Sequence, residues 1–408
     1  MENKLYKIAD KVAQWSIYAL ILTLPFAKSI VEAAIVIALL AVITRKVACR
    51  ERFIPNNPID ILLCCYILAC ALSFFNTEYF NLTLRAFFSK SVKFALLFLL
   101  AREAVNTREK LDGFISMALI SCVTILLDAF IQYFVTHVDL LHLYPVFLYD
   151  FTNLYVKHNF LGFPTASFPY PNDFAAWIII FIFPVGVYVM LGRLNIIKRI
   201  GLSVVFICLA YFLALTKVRG AWLGVFAGIG CMLFTKFRKW IAIAILIFVA
   251  TIFVVNRPVL KEIISPTSVS DRGVMWKNGY EIFKQHPVIG NGLNTFFVHY
   301  AKVREDRDKG KGSYAHNCYL QMAAEIGLVG LSAFLLFAFA VVISGFMALK
   351  KIKDPFYYAL ILGANLGLIA FLVHSAVDTN LYSLNLAALF WVTAGILVSA
   401  IRMEGAAR

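Results

Sequence analysis

The chain has 408 residues, of which 61% are hydrophobic and 15% are charged, and its mean hydropathy is +0.80. This composition excludes a soluble protein, because a soluble fold cannot bury so much apolar surface, and it predicts an all-α polytopic membrane protein. The formal net charge is +15, but most basic residues lie between apolar segments, where they set orientation and contact membrane lipids. The charge therefore does not indicate nucleic-acid binding.

Apolar segments recur along the chain at lengths suited to membrane crossing, which takes about 20 residues in a helix. We predict about twelve membrane helices, the first of which follows a basic N-terminal segment without a cleavage site. Pro25 and Lys28 divide the first apolar stretch into a helical hairpin. The predicted spans are 13–27, 29–44, 59–75, 84–101, 112–136, 173–192, 199–216, 220–236, 240–256, 322–349, 356–376 and 383–401.

Short basic segments alternate with longer loops, and this pattern predicts the orientation of the chain. If both termini are cytoplasmic, the cytoplasmic segments are all short and together contain 21 of the 38 Lys and Arg residues, in agreement with the positive-inside rule. The opposite side then carries two long loops, 137–172 and 257–315, on a single transmembrane domain over residues 1–408. Long loops cross a membrane largely regardless of charge, so the basic loop 257–315 does not contradict this orientation.

Loop 137–172 is rich in aromatic residues and proline and contains a single lysine, Lys157. Aromatic side chains in such a position are typical of an interfacial belt. They are equally suited to line a groove for a sugar or a lipid-linked substrate, since sugars stack on aromatic faces. The residues leave both interpretations open.

Loop 257–315 contains ten Lys and Arg residues. We predict within it an amphipathic helix from Ser270, a suitable N-cap, to about His286, which precedes a proline. Arg272 lies in the first turn of this helix, from which it can reach a ligand beneath. Residues 302–312 alternate in charge and are expected to form a solvated loop. The apolar stripe of the helix consists of aromatic residues at helical spacing: Trp276, Tyr280 and Phe283.

Two lysines interrupt the fourth predicted span. Lys90 and Lys93 are three residues apart and share one helix face, and a lysine inside the bilayer costs about 2.5–3.5 kcal/mol. The span itself contains no acidic residue. We therefore expect an anion from elsewhere, either a protein carboxylate or a ligand phosphate, to pair with them. Snorkelling of the lysines to the surface is the alternative.

Arg219 begins a helix on the non-cytoplasmic side, directly after the short turn that contains Lys217. A helix N-terminus offers free N–H groups and the positive end of the helix dipole, and arginine adds a planar fork that matches phosphate. These properties favour an anion site. An interfacial arginine beside the anchoring Trp222 is the alternative interpretation.

His316 stands where the basic loop re-enters the membrane, and its imidazole can act as a base near neutral pH. A structural histidine at the interface is the alternative. Asp378 and His374 are predicted at the same membrane face, where Asp378 is suited to orient a base or to pair with an arginine. The clustering of His316 with Arg219 and Arg272 on this face favours a catalytic role.

Three motifs resemble those of the O-antigen ligase and polymerase superfamily of polytopic membrane glycosyltransferases. His316-Asn317, followed by nine residues and then by Gly-Leu-Val-Gly at 327–330, fits the family pattern of His, Asn/Ser/Gln, nine residues and Gly-x-x-Gly. The sequence Arg-Gly-Ala-Trp at 219–222 looks like the Arg-Gly-x-Trp element. Residues 272–296 look like the first half of the large periplasmic loop of the family. Chain length and one moderate catalytic loop look most like the O-antigen ligase members.

This resemblance implies a GT-C-like fold in the bacterial inner membrane, with the active site on the periplasmic face. It implies transfer of a glycan from undecaprenyl diphosphate, the O-antigen donor, to a sugar hydroxyl of the lipid A core in lipopolysaccharide biosynthesis. The transfer inverts the anomeric centre and requires no metal or nucleotide cofactor. The sequence agrees with this implication, because it contains no His/Cys cluster typical of a metal site.

The resemblance also implies roles for individual residues. His316 activates the acceptor hydroxyl, while Arg219 and Arg272 hold the diphosphate and stabilise it as it leaves. Three lysines are expected to help bind the diphosphate, on the basis of their position: Lys90, Lys93 and Lys217. Three further residues are expected to support the site: Asn317, Asp378 and Trp222.

Two other functions are compatible with parts of the sequence. An O-antigen polymerase of the same superfamily has the same architecture. A transporter or flippase for an anionic lipid-linked glycan would also use twelve helices and intramembrane lysines. It would not need a histidine joined to a long cationic outer loop, however, and the chain has no recognisable inverted repeat of the kind common in transporters.

Overall fold

The computed structural model describes residues 2–50, 57–141, 162–236, 266–304 and 314–406. In these ranges the chain is almost entirely helical and has no β-strand. Seven of the described helices are long and apolar enough to cross a membrane. The predicted class, an all-α polytopic membrane protein, is therefore confirmed.

The helices follow one another with short connections, as the run of apolar segments predicts. Two of the described segments are π-helical: Phe87–Val92 connects two α-helices, and Gln132–Thr136 extends a third. The α-helices of the described ranges are α1 (Glu2–Thr23), α2 (Lys28–Ala48), α3 (Pro58–Leu72), α4 (Phe80–Ala86), α5 (Lys93–Ala104), α6 (Arg108–Ile131), α7 (Pro171–Leu191), α8 (Ile196–Thr216), α9 (Arg219–Lys236), α10 (Pro266–Gln285), α11 (Phe296–Val303), α12 (Cys318–Leu349), α13 (Pro355–Ser375) and α14 (Leu384–Ala406).

The predicted spans agree with these helices to within a few residues, apart from an earlier start of α1. The predicted hairpin is formed by α1 and α2, and the predicted span 84–101 is formed by α4, the following π-helical segment and α5. The predicted span 240–256 and most of the aromatic loop lie outside the described residues. Helices α13 and α14 form the buried centre of the bundle, and α7, α9 and α12 pack around α13.

Buried ion pairs join the helix ends on the side predicted to be cytoplasmic. Arg45 at the end of α2 contacts Asp10 Oδ1 at 3.1 Å and Glu103 Oε2 at 2.8 Å. Arg102 near the end of α5 contacts Asp60 at the start of α3. Loss of one partner from a buried pair leaves an uncompensated charge, which typically costs about 3–5 kcal/mol. Some of the basic residues on which the predicted orientation rests therefore also hold these helix ends together.

On the opposite side, α12 is a broken helix. Gly327 has φ 66° and ψ −175°, which interrupts the helical geometry and frees backbone groups on both sides of the break. The turn at 287–292, which follows α10, supplies partners for these groups. Four backbone hydrogen bonds connect the turn to the break: Leu328 N to Pro287 O (2.8 Å), Val329 N to Val288 O (3.1 Å), Asn291 N to Ala324 O (3.0 Å) and Gly292 N to Glu325 O (2.9 Å).

Glycine is needed on both sides of this contact. Gly290 has φ 77° and Gly327 has φ 66°, a region that L-residues with a side chain rarely occupy. A Cβ atom at Gly327 would lie 2.2 Å from Val288 O, and one at Gly290 would lie 2.3 Å from the carbonyl carbon of Glu325. The two glycines therefore allow the backbones of loop and helix to meet directly.

The amphipathic helix of the basic loop is present as α10, but it begins at Pro266 rather than at Ser270. The predicted start was wrong because proline is well suited to the first helical position, and the helix therefore includes one more turn before Ser270. The predicted end near His286 is confirmed, since α10 ends at Gln285.

The predicted apolar stripe of α10 packs against the protein only in part. Trp276 and Tyr280 are 37% and 52% exposed, whereas Met275 and Ile282 are buried against α11 and α12. Phe283 is half-buried and packs against the same cluster. Helical spacing identifies residues that share a face, but the packing of α11 and α12 determines which face becomes buried.

We predict that Gly327→Ala destabilises the protein by about 2 kcal/mol or more, because alanine is strained at this φ and its Cβ clashes with Val288 O. Thermal unfolding of the purified protein in detergent measures the effect. Gly230→Ala in α9 is the matched control, since a Cβ there meets no atom within 4 Å. Equal unfolding temperatures for the two variants would contradict the prediction.

Candidate functional site

His316 lies at the junction between the basic loop and α12. Its backbone has φ 47°, a left-handed conformation that is uncommon for a residue with a side chain and that tends to occur at functional sites. The next residue, Asn317, is the N-cap of α12, and its Oδ1 accepts hydrogen bonds from the N–H groups of Tyr319 and Leu320, both at 3.0 Å. The described contacts of Asn317 thus fix the start of α12 and, with it, the backbone of His316.

Asp378, in the connection between α13 and α14, faces His316. His316 Nδ1 lies 3.4 Å from Asp378 Oδ1, in electrostatic contact although not aligned as a short hydrogen bond. Thr379 N donates to the same oxygen at 2.7 Å. The carbonyl oxygen of Asp378 accepts a hydrogen bond from Cys318 N at 3.1 Å, so the first turn of α12 is tied directly to the residue that faces the histidine.

The second oxygen of this carboxylate has its own partners. Asn172, at the start of α7, donates from Nδ2 to Asp378 Oδ2. His374 Nε2, near the end of α13, lies 3.8 Å from the same oxygen, and its Nδ1 is 3.2 Å from Asn380 Nδ2. The carboxylate of Asp378 is therefore contacted from three sides, by α7, by α13 and by the start of α12.

Asn172 and the neighbouring Asp173 were missed by sequence reasoning. Asp173 lies within electrostatic reach of Asp378, Lys28 and His316. The signal was available, because Pro-Asn-Asp at 171–173 puts two polar residues in the first turn of an otherwise apolar helix.

The environment keeps the Asp378 carboxyl group ionised. Burial alone would raise the pKa of Asp378, but its interactions with His316 and His374 and the hydrogen bond from Thr379 N lower this pKa to about 2. A carboxylate beside Nδ1 of an imidazole holds a proton on that nitrogen and leaves Nε2 with a free lone pair. The pair is thus arranged as a base and the group that orients it.

The helix that carries Arg219 packs against the same centre. A Cβ atom at Gly220 would lie 2.7 Å from Cδ2 of His374, and one at Gly224 would lie 2.3 Å from the carbonyl oxygen of Ala370. These two glycines let the N-terminus of α9 contact α13 closely. Arg219 is exposed and is the first residue of α9, directly beside the glycine that contacts His374.

Arg272 reaches this region from α10. Its side chain is partly exposed, and its positive charge acts on His374. Arg272 and His316 therefore act on the pair formed by His374 and Asp378, and Arg219 directly precedes the glycine that packs against His374.

Lys217 and Trp222 lie on either side of Arg219 in the chain. Lys217 is an exposed residue that ends α8 in a left-handed conformation, with Nζ 5.5 Å from the centre of the Phe163 ring. Trp222 is half-buried, packs against the core and lies 6.0 Å from the ring of Phe226. The contribution of Lys217 to diphosphate binding and the supporting role of Trp222 stay predictions.

The two intramembrane lysines have partners within the protein. Lys93 Nζ lies 2.6 Å from Oε1 of Glu32 on α2. Lys90 Nζ donates to Asn294 Oδ1 at 2.6 Å and lies 5.3 Å from the centre of the Tyr382 ring. A protein carboxylate, one of the two anions expected from the sequence, thus pairs with Lys93, and diphosphate binding by either lysine stays a prediction.

Lys90 and Glu325 also line the same small cavity, which has a volume of about 40 Å³. The backbone N–H of Phe296 donates to Glu325 Oε1 at 3.4 Å. Because Asn294 and Phe296 both follow the turn at 287–292, these contacts hold the end of that turn against the membrane helices. In the residues that the structure describes, no group of three or more His, Cys, Asp or Glu side chains could hold a metal ion.

The helices and site described so far define a polytopic membrane protein with a histidine, a carboxylate and arginines at one end of its bundle. Residues 204–335 match a family model described as O-antigen ligase. This match supports a place for the chain in the O-antigen ligase/polymerase superfamily. The match includes Arg219, Arg272 and His316. Members of the family are glycosyltransferase-like enzymes that act on lipid-linked glycans. No curated protein matches the chain.

The low pKa of Asp378 predicts a pH-dependent contribution to stability. Because its pKa is depressed in the folded state, ionisation stabilises the fold above its ordinary pKa of about 3.9, and this stability is lost as the pH falls towards about 2. We expect Asp378→Asn to lower the unfolding temperature at neutral pH, and the difference from wild type to shrink below pH 4.

Thermal unfolding in detergent between pH 7 and pH 2.5 tests this expectation. The matched control is Asp112→Asn, which removes an exposed carboxylate that is paired with Arg108 at 3.2 Å and should have little effect at any pH. A difference in unfolding temperature between Asp378→Asn and wild type that stays constant over the whole pH range would contradict the prediction.

Proposed function

We propose that this protein is an O-antigen ligase, which transfers a polysaccharide from undecaprenyl diphosphate to a sugar hydroxyl of the lipid A core. The family match supports a lipid-linked glycan as the donor class. The observation that carries the proposal is the contact of His316 with an ionised Asp378, close to the helix N-terminus that begins with Arg219. A base and a cationic anion site then lie on the same end of the bundle.

Arg219 and Arg272 bind the diphosphate in this proposal. The N-terminus of α9 adds free N–H groups and the positive end of a helix dipole, and Lys217 precedes it by two residues. Guanidinium groups suit phosphate oxygens because they offer several N–H donors in a fixed plane. As the bond to the sugar breaks, negative charge grows on the diphosphate, and cations positioned in advance stabilise that charge.

His316 acts on the acceptor. Its Nε2 takes the proton of the acceptor hydroxyl, whose oxygen forms a bond to the anomeric carbon of the donor. The bond from this carbon to the diphosphate oxygen breaks at the same time, and its electron pair leaves with the diphosphate. The oxygen attacks opposite to the leaving group, so the anomeric configuration inverts. Asp378 holds Nδ1 and stabilises the imidazolium that forms.

The proposal assigns this site to the periplasmic face of the inner membrane. Support comes from the helix directions, because the ends that carry His316, Asp378 and Arg219 are opposite to those joined by the ion pairs of Arg45 and Arg102. The positive-inside rule assigns the latter ends to the cytoplasm. A lipid-linked donor in the outer leaflet would then have direct access to the cationic site.

We predict that His316→Ala and Arg219→Ala each reduce glycan transfer by at least about a hundredfold, since each removes a group that acts in the transition state. The measurement is complementation of a null strain, read on a lipopolysaccharide gel with protein amounts checked by immunoblot. Two matched controls should restore transfer: His286→Ala, an exposed histidine of the same loop, and Arg193→Ala, an exposed arginine between α7 and α8.

The product that accumulates in the null strain distinguishes the alternatives. A ligase leaves an intact lipid-linked polymer and an uncapped core. A polymerase would leave cores capped with a single repeat unit, and a flippase would leave the lipid-linked glycan on the cytoplasmic side. Either of these last two patterns, or normal transfer by His316→Ala, would overturn the proposed function.

A further inference from the structure

We infer that Asn172 is a positioning residue for this reaction: it holds Asp378 so that the opposite carboxylate oxygen faces His316. The inference rests on the proposed function and goes beyond it, because it brings α7 into the site. It depends on one hydrogen bond, from Asn172 Nδ2 to Asp378 Oδ2. These residues are separated by 206 positions in the chain.

The two oxygens of the Asp378 carboxylate have different partners. Oδ2 accepts from Asn172 and lies 3.8 Å from Nε2 of His374, whereas Oδ1 accepts from Thr379 N at 2.7 Å and lies 3.4 Å from Nδ1 of His316. A carboxylate is planar, so a fixed Oδ2 restricts rotation and limits where Oδ1 can be. Asn172 therefore acts on the histidine through the carboxylate.

Asn172 can serve this purpose because its backbone is held firmly. Pro171 occupies the first turn of α7, where its fixed φ favours helix formation. Phe174 in the same turn is fully buried, and its ring lies 6.2 Å from that of Phe168. Close packing of this kind leaves little room for movement. The amide group is thus presented to Asp378 from a rigid support.

The segment before α7 is anchored as well. Gln132, in the π-helical extension of α6, is buried, and its Oε1 accepts hydrogen bonds from the N–H groups of Thr165 at 2.9 Å and Ala166 at 2.8 Å. Gln132 Nε2 donates to Thr165 Oγ1 at 2.9 Å. The end of loop 137–172 is therefore connected through α7 to the catalytic histidine, a role that the aromatic composition of this loop did not indicate.

The groups around Asn172 predict a specific order of kcat among variants at this position. Asp173 lies within electrostatic reach of Asp378 and His316, so a further carboxylate at position 172 would be repelled by the ionised Asp378 and would lie beside a second carboxyl group. Asn172→Asp keeps the shape of the side chain, removes the donor and adds repulsion. Asn172→Ala removes the whole amide, and with it the donor, without adding a charge. Asn172→Ser retains a hydroxyl donor and is expected to restore part of the activity. The expected order of kcat is therefore Ser above Ala and Ala above Asp.

The test is a double-mutant cycle on purified protein in detergent, with an undecaprenyl-diphosphate-linked glycan and lipid A core as substrates. We expect Asn172→Ala to lower kcat by about tenfold to a hundredfold, as a misplaced catalytic group typically does, with KM for the donor changed less than about twofold. In an Asp378→Asn background, Asn172→Ala should lower kcat little further, because the effects of substitutions at residues that act through each other are not additive.

Asn195→Ala is the matched control, since Asn195 is also at a helix N-terminus, where its side chain accepts from Lys198 N at 2.9 Å, but lies at the start of α8. It should lose stability without loss of kcat. Additive effects of Asn172→Ala and Asp378→Asn, or wild-type kcat in Asn172→Ala, would overturn the inference. If Asn172→Ala does not fold, the kcat values of Asn172→Ser and Asn172→Asp test the inference instead. Equal kcat values for these two variants would overturn the positioning role of Asn172.

The same assay separates this inference from the proposed function. Inactive wild-type protein, or full activity of His316→Ala, would show that the proposed function fails. Wild-type activity that depends on His316 but not on Asn172 would overturn the positioning role alone.

Discussion

The break in α12 at Gly327 is the constraint on which the arrangement of the site depends. A helix interrupted inside a membrane bundle has unpaired backbone groups, and each costs several kcal/mol unless it finds a partner. Here the turn at 287–292 provides four hydrogen bonds, and the glycines at 290 and 327 allow the backbones to meet. The cationic loop is therefore part of the membrane fold, and α10 is held in a defined position over the helix ends.

This connection explains how the proposed catalytic groups from distant segments come together. His316 lies directly before the N-cap of α12, and the first turn of α12 is tied to Asp378 by the hydrogen bond from Cys318 N. The same helix, at its break, holds the loop that carries Arg272. The close contact of Gly220 with His374 adds the N-terminus of α9. The broken helix α12 thus links the proposed base, its orienting carboxylate and the loop that carries Arg272, while α13 contacts the helix that begins with Arg219.

Much of this arrangement was predictable from the sequence. The remainder depends on contacts between distant segments and on packing, which could not be predicted. Apolar length determined the membrane helices, and the positions of His316 and Asp378 at one face followed from counting helices. The ion pair of Lys93 with Glu32 and the hydrogen bond of Asn172 with Asp378 join residues 61 and 206 positions apart, which local patterns do not encode. Similarly, the spacing of Trp276 and Tyr280 identified a shared face, but the packing of α11 and α12 left that face exposed.

The most direct measurement is the anomeric configuration of the product formed by the purified protein alone. Proteoliposomes that contain this chain, a defined undecaprenyl-diphosphate-linked glycan and lipid A core would be incubated, and the new glycosidic bond would be analysed by nuclear magnetic resonance. A single displacement assisted by His316 predicts a core-attached glycan with inverted configuration. Retention of configuration would contradict the single displacement, and the absence of any core-attached product would contradict the proposed ligase activity.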